Sequence, residues 1–222
     1  MNAEVKNARV ALLAGATGLI GRALLPLLLN GESYRDVQVL VRRLLTGVAP
    51  HSKLLLHSVD FTRLPPLPAL DDVFIALGTT IKVAGSEAAF REVDFDFVVN
   101  TARAARAAGA TRVGVVSALG ADSASRVFYD RVKGDMQAAV ADLGFDSVVF
   151  AQPSLLVGDR AALGQPVRTG EVWATRLLGP VMGLVPKGIR PIQAHDVAAA
   201  MLTAVNEARP GVRILSSGAM QA

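Results

Sequence analysis

The sequence predicts an α/β protein: a Rossmann-like, doubly wound parallel sheet of about seven strands with a small C-terminal substrate-side lobe. Three observations carry that reading. Short β-branched or leucine-rich runs alternate with longer segments of helical period, the pattern of a parallel sheet covered by helices on both faces. A glycine-rich turn joins the first run to the first helix. The 222 residues, 51% of them hydrophobic, suffice for one sizeable core, so residues 1–222 are expected to form one domain.

The strand-like runs fall at 10–14, 37–41, 54–57, 73–77, 113–117, 147–151 and 212–215. Between the fourth and fifth, Phe95, Val98, Val99 and Ala102 recur at i, i+3, i+4 and i+7 with Arg103 and Arg106 opposite, which predicts an amphipathic helix over roughly 93–108 ending at Gly109. Val132, Met136, Ala139, Val140 and Leu143 form a second stripe closed by Gly144, and 194–206 is a third clear helix. Pro26 lies about two turns into the first helix, where it removes a hydrogen bond and should produce a kink.

Composition narrows the function classes. Cysteine is absent, which excludes disulfides and thiolate metal sites, and no histidine cluster has metal-ligand spacing, so no metal is expected. The N-terminus is apolar, but its regularly spaced glycines and Arg22 read as strand, loop and helix, not as a signal peptide or membrane span. A cytoplasmic protein without a membrane partner is therefore expected. The net charge is +4, yet the 23 basic residues are scattered and only Arg42 and Arg43 are adjacent, so nucleic acid is not an expected partner and a local anionic ligand suits the arginines better.

The turn reads Gly15-Ala-Thr-Gly18-Leu-Ile-Gly21 between strand and helix. Glycines let the backbone turn tightly and approach a pyrophosphate, while a helix N-terminus offers free N–H groups and a positive dipole end. The G-x-x-G-x-x-G spacing departs from the G-x-G-x-x-G of many dehydrogenases. At the end of the second strand an acidic residue would take the ribose hydroxyls of NADH; Arg42 and Arg43 stand there instead, which favours the 2′-phosphate of NADPH over NADH. A solvated surface pair is the alternative. After the third strand, Asp60-Phe61 is placed either to accept from the adenine amino group or simply as ordinary loop.

Ser117 ends the fifth strand, Tyr129 follows twelve residues later, and Lys133 lies four beyond that. Positions i and i+4 share a helix face, so phenol and ammonium can be neighbours above the C-terminal edge of the sheet, where open α/β folds bind ligands. Carbonyl reduction needs such a set: Ser117 to hydrogen-bond the substrate oxygen, Tyr129 to exchange its proton, Lys133 to stabilise the phenolate and hold the nicotinamide ribose. Chance puts a Tyr-x-x-x-Lys in a chain of this composition with a probability of about 5% before any strand-end serine is required. Lys133 also shares the inward stripe with Val132 and Met136, and buried lysines without a partner are rare. His195 and Asp196 are adjacent on a helix and point about 100° apart, so they read as helix-start residues rather than a catalytic pair.

Six segments resemble the short-chain dehydrogenase/reductases, in particular the atypical NAD(P)H-binding group that includes the vertebrate Tat-interacting protein oxidoreductase and its bacterial relatives: GATGLIGRALL, VLVRR, ALGTT, VVSALGADSASRVFYDRVKGDMQ, QPSLLVGDR and RPIQAHDVAAAM. The resemblance covers nearly the whole chain. It implies that Gly15, Thr17, Gly18, Leu19, Ile20 and Gly21 form the dinucleotide loop and that Arg42 and Arg43 read the phosphate. It further implies that Leu77, Gly78 and Thr79 lie beside the riboses, that Ser117, Tyr129 and Lys133 are the catalytic triad, and that Pro153, Ser154 and Leu155 cover the nicotinamide. Two departures stand out: Gln152 replaces the arginine many relatives carry before the proline, and no asparagine is obvious as a fourth relay member, with Asp94 at the corresponding helix start and Asn100 two turns on.

Three functions follow in order. The first is an NADPH-dependent reductase or dehydrogenase acting on a small, apolar carbonyl compound. The second is an NADPH-binding sensor or interaction protein with little turnover. The third, a nucleotide-sugar epimerase or dehydratase, has only about 70 residues after position 155 for its sugar lobe. Residues 155–190 read as a substrate-side lobe or lid, in which Trp173, Leu177, Leu178, Val181, Met182 and Leu184 suit an apolar pocket wall, plain core, or the face of a homodimer.

Overall fold

A computed structural model describes residues 8–42, 50–157, 186 and 188–221. All seven sequence-predicted strands are present. They are β1 (Arg9–Ala14), β2 (Tyr34–Val41), β3 (Leu54–Ser58), β4 (Asp72–Ile75), β5 (Arg112–Val116), β6 (Ser147–Gln152) and, after a short parallel pair formed by β7 (Leu156–Val157) and β8 (Ile192–Gln193), the last strand β9 (Gly211–Ser216). The large sheet has the order β3-β2-β1-β4-β5-β6-β9 with every neighbour parallel. That is the doubly wound Rossmann arrangement, and its order reverses between β1 and β4, where such folds bind ligands at the carboxyl ends of the strands.

The helices are α1 (Leu19–Asn30), the short α2 (Ile81–Ala84) and α3 (Glu87–Arg91), α4 (Phe97–Ala107), α5 (Phe128–Ala141) and α6 (Ala194–Asn206). One apolar cluster joins α1 and α6 to one face of the sheet through Leu24, Leu28, Val197, Met201 and Val205; the other joins α4 and α5 to the opposite face through Val98, Ala102, Ala105, Met136 and Val140. Alternation along the central strands explains the two layers. In β1, Ala11 and Leu13 enter the first cluster, and Val10, Leu12 and Ala14 the second.

Two departures from the sequence expectation have local causes. The helix expected from 93 begins earlier: Ser86 caps α3 by accepting from Ala89 N–H at 3.1 Å, and a π-helical turn, Glu92–Asp96, links α3 to α4. The fourth strand ends at Ile75, two residues short of the expected 77; Ala76 N–H still bonds the Ala14 carbonyl at 2.8 Å where the chain passes against Gly15. Helix α1 runs through Pro26, which sits on its exposed side, where the Arg22 carbonyl it leaves without a donor can meet water. Gly109 and Gly144 close their helices at φ of +100° and +77°. Most of the expected lobe at 155–190, including Trp173, Leu177, Leu178, Val181, Met182 and Leu184, lies outside the described residues.

Candidate active site

The glycine loop takes its shape from two close approaches. A Cβ on Gly15, whose φ is +93°, would stand 2.4 Å from the Ala76 carbonyl oxygen, and one on Gly21 would stand 2.0 Å from the Gly15 oxygen. Neither position admits a side chain. Gly18 differs: its φ is −78°, and a Cβ there would meet protein no nearer than 3.5 Å. The packing among the described residues therefore does not require a glycine at 18.

The same loop ends in unpaired donors. Gly18 N–H bonds the Gly15 carbonyl at 3.1 Å and Arg22 N–H bonds the Gly18 carbonyl at 2.9 Å, which leaves Leu19, Ile20 and Gly21 as the orphan N–H groups of α1. No side chain caps this helix and no acidic residue occupies its first turn. Thr17 is exposed and Ile20 is buried in the core, so the loop offers backbone to an anion rather than side chains. These features fit a dinucleotide pyrophosphate.

Around the loop, Arg42 is exposed just past the end of β2, while Arg43 lies outside the described residues. Asp60 is exposed, and its Oδ1 accepts from Thr62 N–H at 2.9 Å and Thr62 Oγ1 at 2.7 Å; the hydroxyl and then the amide of Thr62 hold the Asp60 carboxyl below its usual range. Phe61 is only partly a site residue. Its side chain is buried and stacked on Phe97 with ring centroids 5.8 Å apart, so the core claims the ring and only the backbone is left for a ligand.

Helix α5 carries the catalytic candidates on one ridge. Tyr129, Lys133 and Gln137 succeed one another at i, i+4 and i+8. The Tyr129 ring packs against the fully buried Phe90 ring of α3, with centroids 5.3 Å apart. Lys133 is 3% exposed, and its Nζ lies 2.8 Å from Asp94 Oδ1. Asp94, 1% exposed on the π-helical turn, also accepts from Thr79 N–H through Oδ2 at 2.8 Å. Gly78 faces this pair, since a Cβ on it would stand 3.3 Å from Asp94 Oδ1 and 3.9 Å from Lys133 Nζ. Leu77, Gly78 and Thr79 thus connect the glycine loop to Lys133 through Asp94.

Ser117 is the first residue beyond β5 and stays on the ladder, its N–H bonding the Ala151 carbonyl at 2.7 Å. Gln137 Nε2 donates to its Oγ at 2.6 Å. Gly134 lets the β5–α5 connection lie against α5, because a Cβ there would come within 2.1 Å of Ser123 N. Pro153, Ser154 and Leu155 are held from three sides: the Pro153 carbonyl accepts from Leu119 N–H at 3.1 Å, Ser217 Oγ donates to Ser154 Oγ at 2.8 Å, and the Leu155 carbonyl accepts from Ile192 N–H at 2.9 Å. Ser154 Oγ also donates to the Arg190 carbonyl. His195 is exposed and Asp196 half-buried in the first turn of α6, with His195 Nδ1 3.7 Å from Asp196 Oδ1.

Asp94, Gln137 and Phe90 are the residues that a search for Ser, Tyr and Lys leaves out. Asp94 reads as a helix-start charge, and its role emerges only from its pairing with another helix. Gln137 carried one available signal, its place two turns beyond Tyr129 on the same ridge.

No protein-family model matches the chain. Over 207 residues it is 34% identical to "Protein fmp52, mitochondrial" of Aspergillus fumigatus, covering 90% of this chain and 86% of that protein. It is 34% identical over 181 residues to the rat "Protein HTATIP2", covering 79% of this chain and 72% of the relative. Among solved structures, Bordetella bronchiseptica WbmG in complex with NAD superposes with a TM-score of 0.67 at 17% identity, covering 95% of this chain and 73% of that one, a likeness of fold alone. The expectation of a cytoplasmic protein is corrected by the fungal relatives, which are named mitochondrial. It rested on the want of a signal peptide or membrane span, and neither feature separates the cytoplasm from an organelle whose import segments have a different composition. Shared identity across most of the length of the Fmp52 and HTATIP2 proteins, on a Rossmann sheet, places the chain in their family, an atypical group of the short-chain dehydrogenase/reductases.

Proposed function

We propose that this protein is an NADPH-dependent oxidoreductase of the carbonyl reductase or dehydrogenase type, acting on a small apolar carbonyl compound through Ser117, Tyr129 and Lys133. The observation that carries the reading is the buried Lys133, one turn from Tyr129 and fixed by Asp94 beside Gly78, on the helix whose next turn reaches Ser117. A lysine at 3% exposure needs a charge partner, which Asp94 supplies, and the pair stands beside Gly78 at the carboxyl end of the sheet, where such folds bind ligands. Support for the dinucleotide comes from the orphan N–H groups of α1 and from WbmG, whose structure contains NAD.

When bound, NADPH supplies the hydride. The chain's residues do the rest. Leu19, Ile20 and Gly21 N–H groups bind the pyrophosphate, and Arg42 with Arg43 binds the 2′-phosphate. Lys133 Nζ, held in place by Asp94, donates to the nicotinamide ribose and presents positive charge to the Tyr129 oxygen. Ser117 orients the substrate oxygen, and Tyr129 delivers its proton as charge develops there. Pro153, Ser154 and Leu155, tied to β8 and the C-terminal segment, close the nicotinamide side.

The test joins two measurements: cofactor affinity by fluorescence titration, and NADPH oxidation across a panel of aldehydes, ketones and quinones. Turnover of panel members supports the reading. Tight NADPH binding with no turnover on any member would instead favour a cofactor-binding sensor. Replacing Arg42 and Arg43 together by alanine is expected to lower the NADPH/NADH affinity ratio about 10- to 100-fold, the loss of one to two charge-assisted contacts. An unchanged ratio would remove the NADPH preference from the account.

A further inference from the structure

Ser117 Oγ is 4% exposed and receives one hydrogen bond, from Gln137 Nε2 at 2.6 Å. Among the described residues no acceptor takes the serine's own proton. A hydroxyl that accepts from a fixed donor has its proton directed away from that donor. Gln137 lies on the ridge that carries Tyr129 and Lys133, and its donation leaves the serine proton free, on the side away from that amide, for a group that enters the site. The Gln137 amide is turned by its other end as well: Gln152 Nε2 lies 3.5 Å from Gln137 Oε1, a weak restraint from the strand next to Ser117. Both groups are neutral amides, so the arrangement orients a hydroxyl without adding charge or a titrating group.

We propose that Gln137 is a positioning residue which, by donating to Ser117 Oγ, commits the serine hydroxyl to donate to the substrate oxygen. This rests on the reductase reading for its catalytic consequence, while the orientation of the serine stands by itself. An amide has two ends, and the opposite orientation would make Ser117 donate to Gln137 and leave the substrate oxygen without its donor.

The substitution Gln137→Glu separates the two orientations. A carboxylate at this place can only accept, so it draws the serine proton toward itself. Expected are a kcat at neutral pH at least tenfold below wild type, an unchanged NADPH affinity, and a kcat that recovers as pH falls through titration of the new carboxyl, because the protonated acid donates as the amide does. Gln137→Met should lose kcat with a pH profile of wild-type shape. The groups facing position 137 are Ser117 from β5 and Gln152 from β6, with Lys133, paired to Asp94, and Tyr129 on its own ridge; none differs between wild type and these variants.

A second arm needs no turnover. Carbon-13 NMR of the side-chain carboxyl in Gln137→Glu should show a higher pKa once Ser117→Ala is added, since a donor to the carboxylate has been removed. A Gln137→Glu protein with wild-type kcat and a flat pH profile, or a carboxyl titration indifferent to Ser117→Ala, would overturn the proposal. If wild type reduces no carbonyl, the reductase reading fails, and proton NMR of the wild-type Gln137 side-chain NH2 still decides the serine's orientation: Ser117→Ala should shift that NH2 resonance and speed its exchange if it donates to Ser117 Oγ, and an NH2 indifferent to Ser117→Ala would overturn the proposal.

Discussion

Lys133 Nζ and Asp94 Oδ1 stand 2.8 Å apart with both side chains almost wholly buried, and this ion pair ties α5 to the π-helical turn before α4. Asp94 spends its second oxygen on Thr79 N–H, so the carboxylate fixes the lysine and the turn after β4 together. Breaking a buried pair by removing one partner typically costs about 3–5 kcal/mol, because an uncompensated charge remains. Asp94→Ala is therefore expected to lose stability on that scale in denaturant unfolding. Asp94→Asn keeps one acceptor oxygen, enough for Lys133 or for Thr79 N–H but not for both, and should lose somewhat less than Asp94→Ala. Equal losses for the two variants would show that the neutral amide oxygen retains nothing of the contact and that the charge carries it.

Gly18 and Gly21 should separate cofactor binding from folding. Gly21→Ala drives a Cβ into the Gly15 carbonyl, an overlap that no side-chain movement relieves, and is expected to destabilise the fold by about 1–3 kcal/mol or more. Gly18→Ala meets only ordinary contact within the protein, so its melting temperature without cofactor should stay near wild type while NADPH affinity falls about tenfold or more. Thermal melts and cofactor titration on the same preparations check both.

At the opposite, N-terminal edge of the sheet, Tyr34 OH donates to Asp72 Oδ2 at 2.6 Å, with Arg9 and Arg112 flanking the carboxylate. Burial, and then the adjacent Asp72 charge, push the Tyr34 phenol far above its ordinary value of 10.0. The folded state therefore keeps a proton that the unfolded chain releases, so this contribution to stability is fully present below pH 10 and declines as pH rises beyond it. Denaturant unfolding between pH 8 and 11 should show that decline. In Tyr34→Phe the decline should flatten, while stability at pH 7 drops by about 1–3 kcal/mol because Asp72 loses a buried donor.

The fold was legible because its strands are short apolar runs set between amphipathic stripes, and α6 matches the expected 194–206 in full. Strand ends were less so. The end of β4 lies where Ala76 passes against Gly15, a juxtaposition of residues far apart in the chain that local pattern does not register. The site was legible in part: Ser117, Tyr129 and Lys133 announce themselves by type and spacing. Asp94 does not, since its burial comes from a π-helical turn that a 3.6-residue count cannot register and from a partner on another helix. For Phe61 the position after a strand did not reveal that its ring is buried and stacked on Phe97.

The most direct test of the central claim is NADPH oxidation by wild type and Tyr129→Phe with the best carbonyl substrate of the panel. The phenyl ring keeps the packing against Phe90 and removes only the hydroxyl. The account predicts NADPH affinity within a few-fold of wild type and kcat lower by about 10²- to 10⁴-fold, the contribution of a positioned general acid. Full-rate reduction by Tyr129→Phe would contradict it.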